Sequence, residues 1–544
     1  MTAEQAVALD IGTSGLRGQL VNLENGQVIR TCIMNRNPIP GANIMDHLSF
    51  ALECGGDKTR RLLVSAVHDI IERLKPEHLS RIAVCGNPIQ LSLLEGKEFR
   101  DLAYAGESKL KEENIGPVDR PGHIVSGDIL GFDSGVEIII PPAVRHEIGA
   151  DALAMMIESG FLENDFCLVT DYGTNAEMAL KVGDTVYTGS AAAGPALEGQ
   201  QIGSGMLAGP GALSDLCRYP QGWRAKVLDS RMEVQDGPMI NMRSGMIHKE
   251  GVVPKGITGT GVIALVHAGI MDGRMSPPKI TGDSIDITRN IRFTNEDLAE
   301  AGKALGAIRA GHLTLMIEAG VSHKDIHTMY MAGASGTYVD PIKAMSVGMV
   351  PPSVINVVQV GNTSLQLAKD IAIKPDEIDS LNVLRKELLA KHIMFAKSSV
   401  FSDLYSYELA VWTEGMDTYR YSRKLAEYDQ SGYLGTPLKP TIRKVSDLDI
   451  IDTGESLEML DTKIEIRGTW NCSRCGICVR LCPEKALNMD NGRFIINTGM
   501  CLGTACMRCV ENCPEGAFAL WNTKNEFHIS KRPNETVTAE PFPL

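Results

Sequence analysis

Between residues 6 and 86 the apolar positions change period several times. Residues 6–23 read AVALDIGTSGLRGQLVNL. An apolar run (Ala6–Leu9) ends at Asp10, and Gly12-Thr13-Ser14-Gly15 then turns the chain back into a second strand. Asn25-Gly26 is a tight-hairpin signal, and Gln27–Ile33 reads as a third strand. From Asp57 to Lys75 the period lengthens: Leu63, Val67, Ile70, Ile71 and Leu74 fall on one helical face. A fourth strand is expected at Arg81–Cys85, before Gly86-Asn87.

The same order of events returns later. FCLVTD at 166–171 is an apolar run ending in Asp171, followed by Gly173-Thr174-Asn175, the strand AEMALKV, a Gly183-Asp184 turn and TVYTG. After a glycine-rich insertion a helix is expected from near Thr294, with Asp297 as its capping-box partner and Leu298, Ala301, Leu305 and Ile308 on one face. A strand at His327–Ala332 then runs into Gly333-Ala334-Ser335-Gly336. This is a duplication carried by pattern rather than identity. Strands joined both by hairpins and through helices imply a mixed, helix-covered sheet in each half, an α/β class. Two such halves facing each other would leave a cleft into which both acidic turns project.

The remaining chain divides less clearly. The expected organisation is a first half at 1–160, a second at 161–411 with a long helix from Val383 to Asp403, a polar linker with some strand content at 412–465, a cysteine-rich module at 466–522 and a tail at 523–544. Trp470 and Trp521 flank the cysteine module and are expected to close its small core.

Composition narrows the function classes. The chain has 544 residues, too many for one core. A formal net charge of −14 argues against nucleic acid as the main partner. No apolar run approaches the ~18 residues of a membrane span, and the N-terminus lacks the basic and apolar stretches of a signal peptide. A cytoplasmic location is expected. The twelve histidines form no ligand-spaced pair, so His146, His267 and His312 read as structural.

Thirteen cysteines change the picture. Cys472, Cys475, Cys478 and Cys482 are spaced C-x2-C-x2-C-x3-C-P, and Cys501, Cys506, Cys509 and Cys513 are spaced C-x4-C-x2-C-x3-C-P. A cubane needs four thiolates converging from different directions, three from one tight loop and the fourth from beyond a helical turn. On that logic Cys472, Cys475, Cys478 and Cys513 hold one [4Fe–4S] cluster, and Cys501, Cys506, Cys509 and Cys482 hold a second. A zinc site would use paired C-x2-C units, often with histidine, but no histidine lies between Cys472 and Cys513. The C-x4-C-x2-C start also occurs in plant-type [2Fe–2S] loops, where the fourth cysteine lies far downstream. The other five cysteines (Cys32, Cys54, Cys85, Cys167 and Cys217) read as reduced thiols.

The acidic turns carry a second chemistry. Glycine lets backbone approach a phosphate closely, and consecutive N–H groups of a tight turn form an anion nest. Thr13, Ser14 and Thr174 add hydroxyl donors, while Asp10 and Asp171 call for an intervening cation, most simply Mg²⁺ through water. The pair reads as a Mg·ATP clamp, with Gly333, Ser335 and Gly336 in a strand-to-helix turn beside the adenosine. Glu198, in the insertion, is a candidate water-positioning carboxylate, but it reads first as a helix cap or a solvent-facing side chain.

The two Asp-x-Gly-Thr turns resemble those of the actin, Hsp70 and sugar-kinase (ASKHA) superfamily, which implies duplicated ribonuclease-H-like subdomains closing over ATP. With SAAAGPALEG at 190–199 and GAIRAGHLTLMIEAG at 306–320, the chain is similar to the reductive activators of corrinoid proteins. That family couples ATP hydrolysis to reduction of an inactive cobalt(II) corrinoid to cobalt(I). Most members carry an N-terminal [2Fe–2S] domain. Here a C-terminal α+β, bacterial-type 2[4Fe–4S] ferredoxin domain replaces it, as in the branch that serves methylamine methyltransferase corrinoid proteins in methanogenesis. The resemblance implies Asp10, Gly12, Thr13, Asp171, Gly173 and Thr174 at the phosphates and Mg²⁺, and Gly333 and Gly336 at the adenosine; Ser14, Gly15 and Asn175 are nucleotide-binding candidates as members of the same turns. It implies a methylamine corrinoid protein as substrate and an upstream low-potential electron donor. The alternatives are an ATP-driven activator of another low-potential enzyme, and a kinase or ATPase whose clusters sense redox state.

Overall fold

Each half of the chain is built around a seven-stranded sheet. The computed structural model describes residues 4–516 and 526–529, apart from 42, 104–111, 113–114, 117, 145–147, 174, 200, 231, 249–250, 446–452, 461–462, 468–471, 491–492, 499 and 504–505. Two compact units result: Met1–Ala154 with Ser364–Glu387 and Ile450–Leu544, and Met155–Thr363 with Leu388–Asp449.

In the first unit the strands are β1 (Gln5–Ile11), β2 (Leu16–Asn22), β3 (Val28–Met34), β4 (Leu79–Gly86), β5 (His123–Ser126) and β6 (Glu137–Ile140). A strand at Ser456–Leu460 lies beyond β3, giving the order Ser456–Leu460, β3, β2, β1, β4, β6, β5. β1 runs antiparallel to β2 and parallel to β4. As a central strand, it buries Ala6, Val7, Ala8, Leu9 and Ile11. The helix Gly56–Leu74 lays Leu63, Val67, Ile70, Ile71 and Leu74 against the sheet, with the expected face. Its approach is so close that a Cβ on Gly18 would meet Ile70 Cγ2 at 2.5 Å.

The second unit repeats the plan. β7 (Cys167–Tyr172), β8 (Ala176–Val182) and β9 (Thr185–Ala191) form a meander, and Thr328–Ala332 pairs parallel with β7 as β4 does with β1. The order is Leu389–His392, β9, β8, β7, Thr328–Ala332, Asn356–Gly361, Thr441–Lys444. The helix Asn295–Ala319 opens with a reciprocal capping box between Thr294 and Asp297. Its glycines admit close partners: an added Cβ would meet Trp412 at Gly302, Glu408 at Gly306 and Met178 at Gly311. Arg309 on this helix pairs with the fully buried Glu408 at 2.8 Å. The glycine-rich insertion is ordered: Ala212–Tyr219, Gly222–Leu228, Val234–Ile240, Ile247–His248 and Gly256–Ile257 form a five-stranded sheet.

One segment differs from expectation. The single helix expected from Val383 to Asp403 is two helices, Glu377–Glu387 and Ser399–Leu409, separated by the strand Leu389–His392. There Leu389 is exposed and Ala390 buried, an alternation fixed by pairing with β9, which overrides local helix propensity. The stretch 412–465 carries the helix Thr418–Glu427 and supplies an edge strand to each sheet, Thr441–Lys444 and Ser456–Leu460. The cysteine module that follows has an antiparallel sheet in the order Leu487–Asp490, Arg493–Asn497, Lys463–Arg467, Glu526–Ile529. Trp470, Trp521 and His146 lie outside the described residues. Among those described, no helix is long and apolar enough to cross a membrane.

Candidate functional site

The first acidic turn closes on itself. Gly12 N–H donates to Gly15 O at 3.1 Å, so this amide holds the turn rather than serving a phosphate. Gly15 sits against the end of β3, where an added Cβ would meet Met34 O at 2.5 Å. Asp10 lies one residue inside the end of β1, in register with Arg17, whose guanidinium is 3.8 Å from its carboxylate. Two asparagines complete the turn. Asn37 donates from its side chain to Gly12 O at 2.8 Å and from its backbone to Ser14 O at 2.9 Å. Asn87 donates to Thr13 Oγ1 at 3.4 Å while capping the next helix.

A third carboxyl belongs with this turn. Desolvation raises Asp151 to about 6, and the negative charge of Asp10 pushes in the same direction. Two carboxylates that raise each other's cost of ionisation beside a candidate phosphate nest are a natural place for a cation.

In the second unit Asp171 occupies the position in β7 that Asp10 occupies in β1. It is in register with Glu177 on β8 and Ala332 on the parallel neighbour. Gly333, at φ +78°, lies against its carboxylate: a Cβ there would fall 2.2 Å from Asp171 Oδ1. Thus the expected adenosine turn and the expected phosphate carboxylate are brought into contact within one unit. Gly336 packs on Tyr172, and the buried Gln359 donates to Gly336 O, Thr337 O and Val339 O at 2.6, 3.0 and 3.0 Å. Gly173 and Asn175 form the turn after β7. Thr174 and the side chains of Ser335 and Glu198 lie outside the described residues.

Gly333→Ala combines a left-handed backbone with a clash against Asp171. We expect nucleotide affinity to fall at least tenfold, about 1.4 kcal/mol or more, with iron content unchanged. Fluorescent-nucleotide titration and iron analysis read the two separately, and unchanged affinity would remove Gly333 from the site.

The eight module cysteines line two pockets. One is formed by Cys472, Cys475, Cys478 and Cys513 with Met489 and Phe494, the other by Cys482, Cys501, Cys506 and Cys509 with Ile496 and Met500. In each, three thiols come from one loop and the fourth from the other, the exchange that the spacing predicts. The two loops share a backbone hand. Gly476 and Met507, each following a second cysteine, have φ +70° and +50°, and Lys485 and Gly516, two residues past each Cys-Pro, have +52° and +55°. Met507 and Lys485 hold a conformation that disfavours a Cβ, as expected where surrounding ligation determines the loop. Sulfur also receives backbone donors, from Arg474 N–H to Cys472 at 3.3 Å and from Ala486 N–H to Cys482 at 3.2 Å. Such bonds favour thiolate and tune a bound cluster. Burial pushes the free Cys501 thiol up to about 11 and Cys509 to about 12, so ligation there must release protons. The residues present therefore fit cubane ligation.

Elsewhere the thiols are inert. Burial raises Cys32, Cys54 and Cys167 to about 12. His267 and His312 are held neutral by desolvation, at about 4 and about 3, and His312 bonds Thr170 at 2.8 Å.

Sequence reasoning assigned no role to Asn37, Asn87, Asp151 or Gln359. Asn37 and Asn87 each left a signal, as an Asn-Pro dipeptide after a strand.

Comparison with known proteins finds three matching families. Residues 5–164 match the RACo middle region, 165–423 the C-terminal domain of RACo, the ASKHA domain, and 471–518 a 4Fe-4S dicluster domain. The chain is 42% identical over 521 residues to the [Co(II) methylated amine-specific corrinoid protein] reductase of Methanosarcina barkeri, covering 92% of this chain and 95% of that one. It is 23% identical to the corrinoid activation enzyme RamQ of Eubacterium limosum, over 73% and 69% of the two chains. A solved reductive activator for a corrinoid, iron-sulfur protein superposes with a TM-score of 0.61 at 22% identity, over 74% of this chain and 65% of its own length, and so shares the fold.

Proposed function

The chain belongs to the RACo family of corrinoid-protein reductive activators, and on that footing we propose that it reduces the cobalt(II) form of a methylamine-specific corrinoid protein to cobalt(I) with ATP. The observation that carries this reading is the pair of four-cysteine pockets in one chain with two acidic Gly-Thr turns.

Cobalt(I) is a strong reductant, so each ~59 mV separating it from the donor costs about 1.4 kcal/mol for one electron. Cys472, Cys475, Cys478 and Cys513 would hold one [4Fe–4S] cluster, and Cys501, Cys506, Cys509 and Cys482 the other; when bound, such clusters would supply low-potential one-electron transfer. The module residues set the surroundings of that transfer through apolar walls (Met489, Phe494, Ile496, Met500) and N–H donors to sulfur. In each unit the acidic turn offers backbone N–H and hydroxyl groups that would meet phosphate oxygens. Asp10 and Asp151 in the first unit, and separately Asp171 in the second, are the carboxylates that would face a Mg²⁺ through its water, which would offset their charge against the phosphates. ATP contributes by binding more tightly to one conformation of the activator–corrinoid complex, the one in which cobalt(II) accepts the electron.

The test is anaerobic spectrophotometry of a purified methylamine corrinoid protein with this protein, reductant and ATP, watching for the cobalt(I) band. Formation of the band with ATP and not without it supports the reading. Equal rates without nucleotide would sink it.

Asp151 should show a trade between stability and function. Its carboxyl is raised from 3.8 to about 6, so the native chain carries a deficit relative to the unfolded chain that is full above about pH 6 and is relieved as pH falls from 6 toward 4. In the protein free of nucleotide and Mg²⁺, Asp151→Asn should therefore gain up to ~3 kcal/mol at pH 7.5. That advantage should shrink as pH falls from about 6 toward about 4, while ATP turnover of the variant drops at least tenfold. Melting curves across this range check the sign, and a destabilised variant at pH 7.5 would refute it.

A further inference from the structure

Residues 35–41 touch both chemistries of the first unit. At the near end Asn37 holds Gly12 O and Ser14 O, and the Asn35 backbone lies against Gly15. At the far end Pro40 and Gly41 lie against Gly503, whose added Cβ would meet Gly41 Cα at 3.1 Å and Pro40 O at 3.3 Å. Gly503 itself lines the pocket of Cys482, Cys501, Cys506 and Cys509. Asp46, just beyond the segment, lies near enough for its charge to act on Cys501.

Little slack separates these ends. Asn37, Pro38, Ile39 and Pro40 are all buried, and Ile39 N–H donates to Asn37 Oδ1 at 2.9 Å. The prolines restrict φ at two positions. Asn35 N–H donates to Leu460 O at 3.1 Å, tying the segment also to the strand that leads into the cysteine module. A close-packed, doubly anchored stretch passes a displacement on instead of absorbing it. Both pockets are lined wholly by module residues, and it is Gly503, in the lining of the Cys482 pocket, that meets the segment.

On the reading that the Asp10 turn holds nucleotide, we propose that residues 35–41 are a positioning strap. Through it the nucleotide changes the redox potential of the cluster held by Cys482, Cys501, Cys506 and Cys509, while the potential of the other cluster stays fixed. Potentials follow burial, hydrogen bonds to sulfur and nearby charge, the properties that a shift of the Cys501–Cys506 loop against Pro40, Gly41 and Asp46 would alter.

The experiment is an anaerobic potentiometric titration of the cluster-loaded protein, followed by electron paramagnetic resonance, without nucleotide, with Mg·ADP and with a non-hydrolysable Mg·ATP analogue. One of the two cluster signals should move, its reduced-to-oxidised ratio at fixed potential changing about tenfold, ~59 mV for one electron, while the other does not. The moving signal should survive in Cys513→Ala and be absent from Cys482→Ala. In Gly41→Ala, where the new Cβ would lie 2.4 Å from Asp46 Cβ at φ +143°, the shift should be lost while iron content and nucleotide affinity remain. Nucleotide binding measured by calorimetry with both signals still, or both moving together, overturns the strap, as does a full shift in Gly41→Ala. Absence of nucleotide binding overturns the ATP reading and the strap with it.

Discussion

In Asp171→Ala, ATP turnover and ATP-dependent cobalt(I) formation should fall at least ~100-fold, the scale on which losing one preorganised electrostatic group acts. Iron content and thermal stability should stay near those of the parent. Asp10 lies 3.8 Å from the Arg17 guanidinium. Asp171 is in register with Glu177, and a Cβ on Gly333 would fall 2.2 Å from its Oδ1. Asp171→Asn keeps the shape and removes the charge, so an equal loss there assigns the effect to charge, and partial retention assigns it to packing on Gly333. Steady-state phosphate release and the cobalt(I) band measure the two activities. Turnover within threefold of the parent would take Asp171 out of the nucleotide machinery.

What the sequence made legible was what spacing alone determines. β1–β2–β3 and β7–β8–β9 could be read because a central strand flanked by hairpin glycines leaves a clear apolar run, and DIGTSG and DYGTN mark the same place in each. The cysteine partition was legible for the same reason, since ligand spacing is local. Contacts made by the folded backbone left no such trace. Gln359 serves three carbonyls some twenty positions earlier, and Asn37 reaches back to Gly12. Asp151 stands out only once burial and Asp10 act on it together. The strands Leu389–His392, Thr441–Lys444 and Ser456–Leu460 are short edge pieces whose conformation is set by the sheet they join. Composition marked 412–465 as a linker with some strand content, and what it could not show is that Thr441–Lys444 and Ser456–Leu460 each extend a sheet.

Single cysteine replacements should remove clusters in a crossed pattern. Cys513 lies in the second motif but lines the pocket of Cys472, Cys475 and Cys478, and Cys482 lies in the first motif but lines that of Cys501, Cys506 and Cys509. Cys475→Ala and Cys513→Ala should therefore give the same product, with iron falling from about eight to about four per chain and the same surviving spectrum. Cys482→Ala and Cys506→Ala should give the complementary spectrum. An uncrossed arrangement predicts the opposite grouping, with Cys513→Ala resembling Cys506→Ala. In every variant electron delivery to cobalt should fall by more than ~100-fold, because an electron path missing one centre must span the gap in a single step. ATP binding should persist, because the Asp10 and Asp171 turns keep their own partners within each unit. The crossing also carries a stability consequence. Each cluster would staple one loop to the other, so losing either should loosen both loops and release the strain held at Met507 and Lys485. Proteolysis of the module should then rise in all four variants alike, and a variant that loses four irons yet resists cleavage as the parent does would show that the loops stand without their metal.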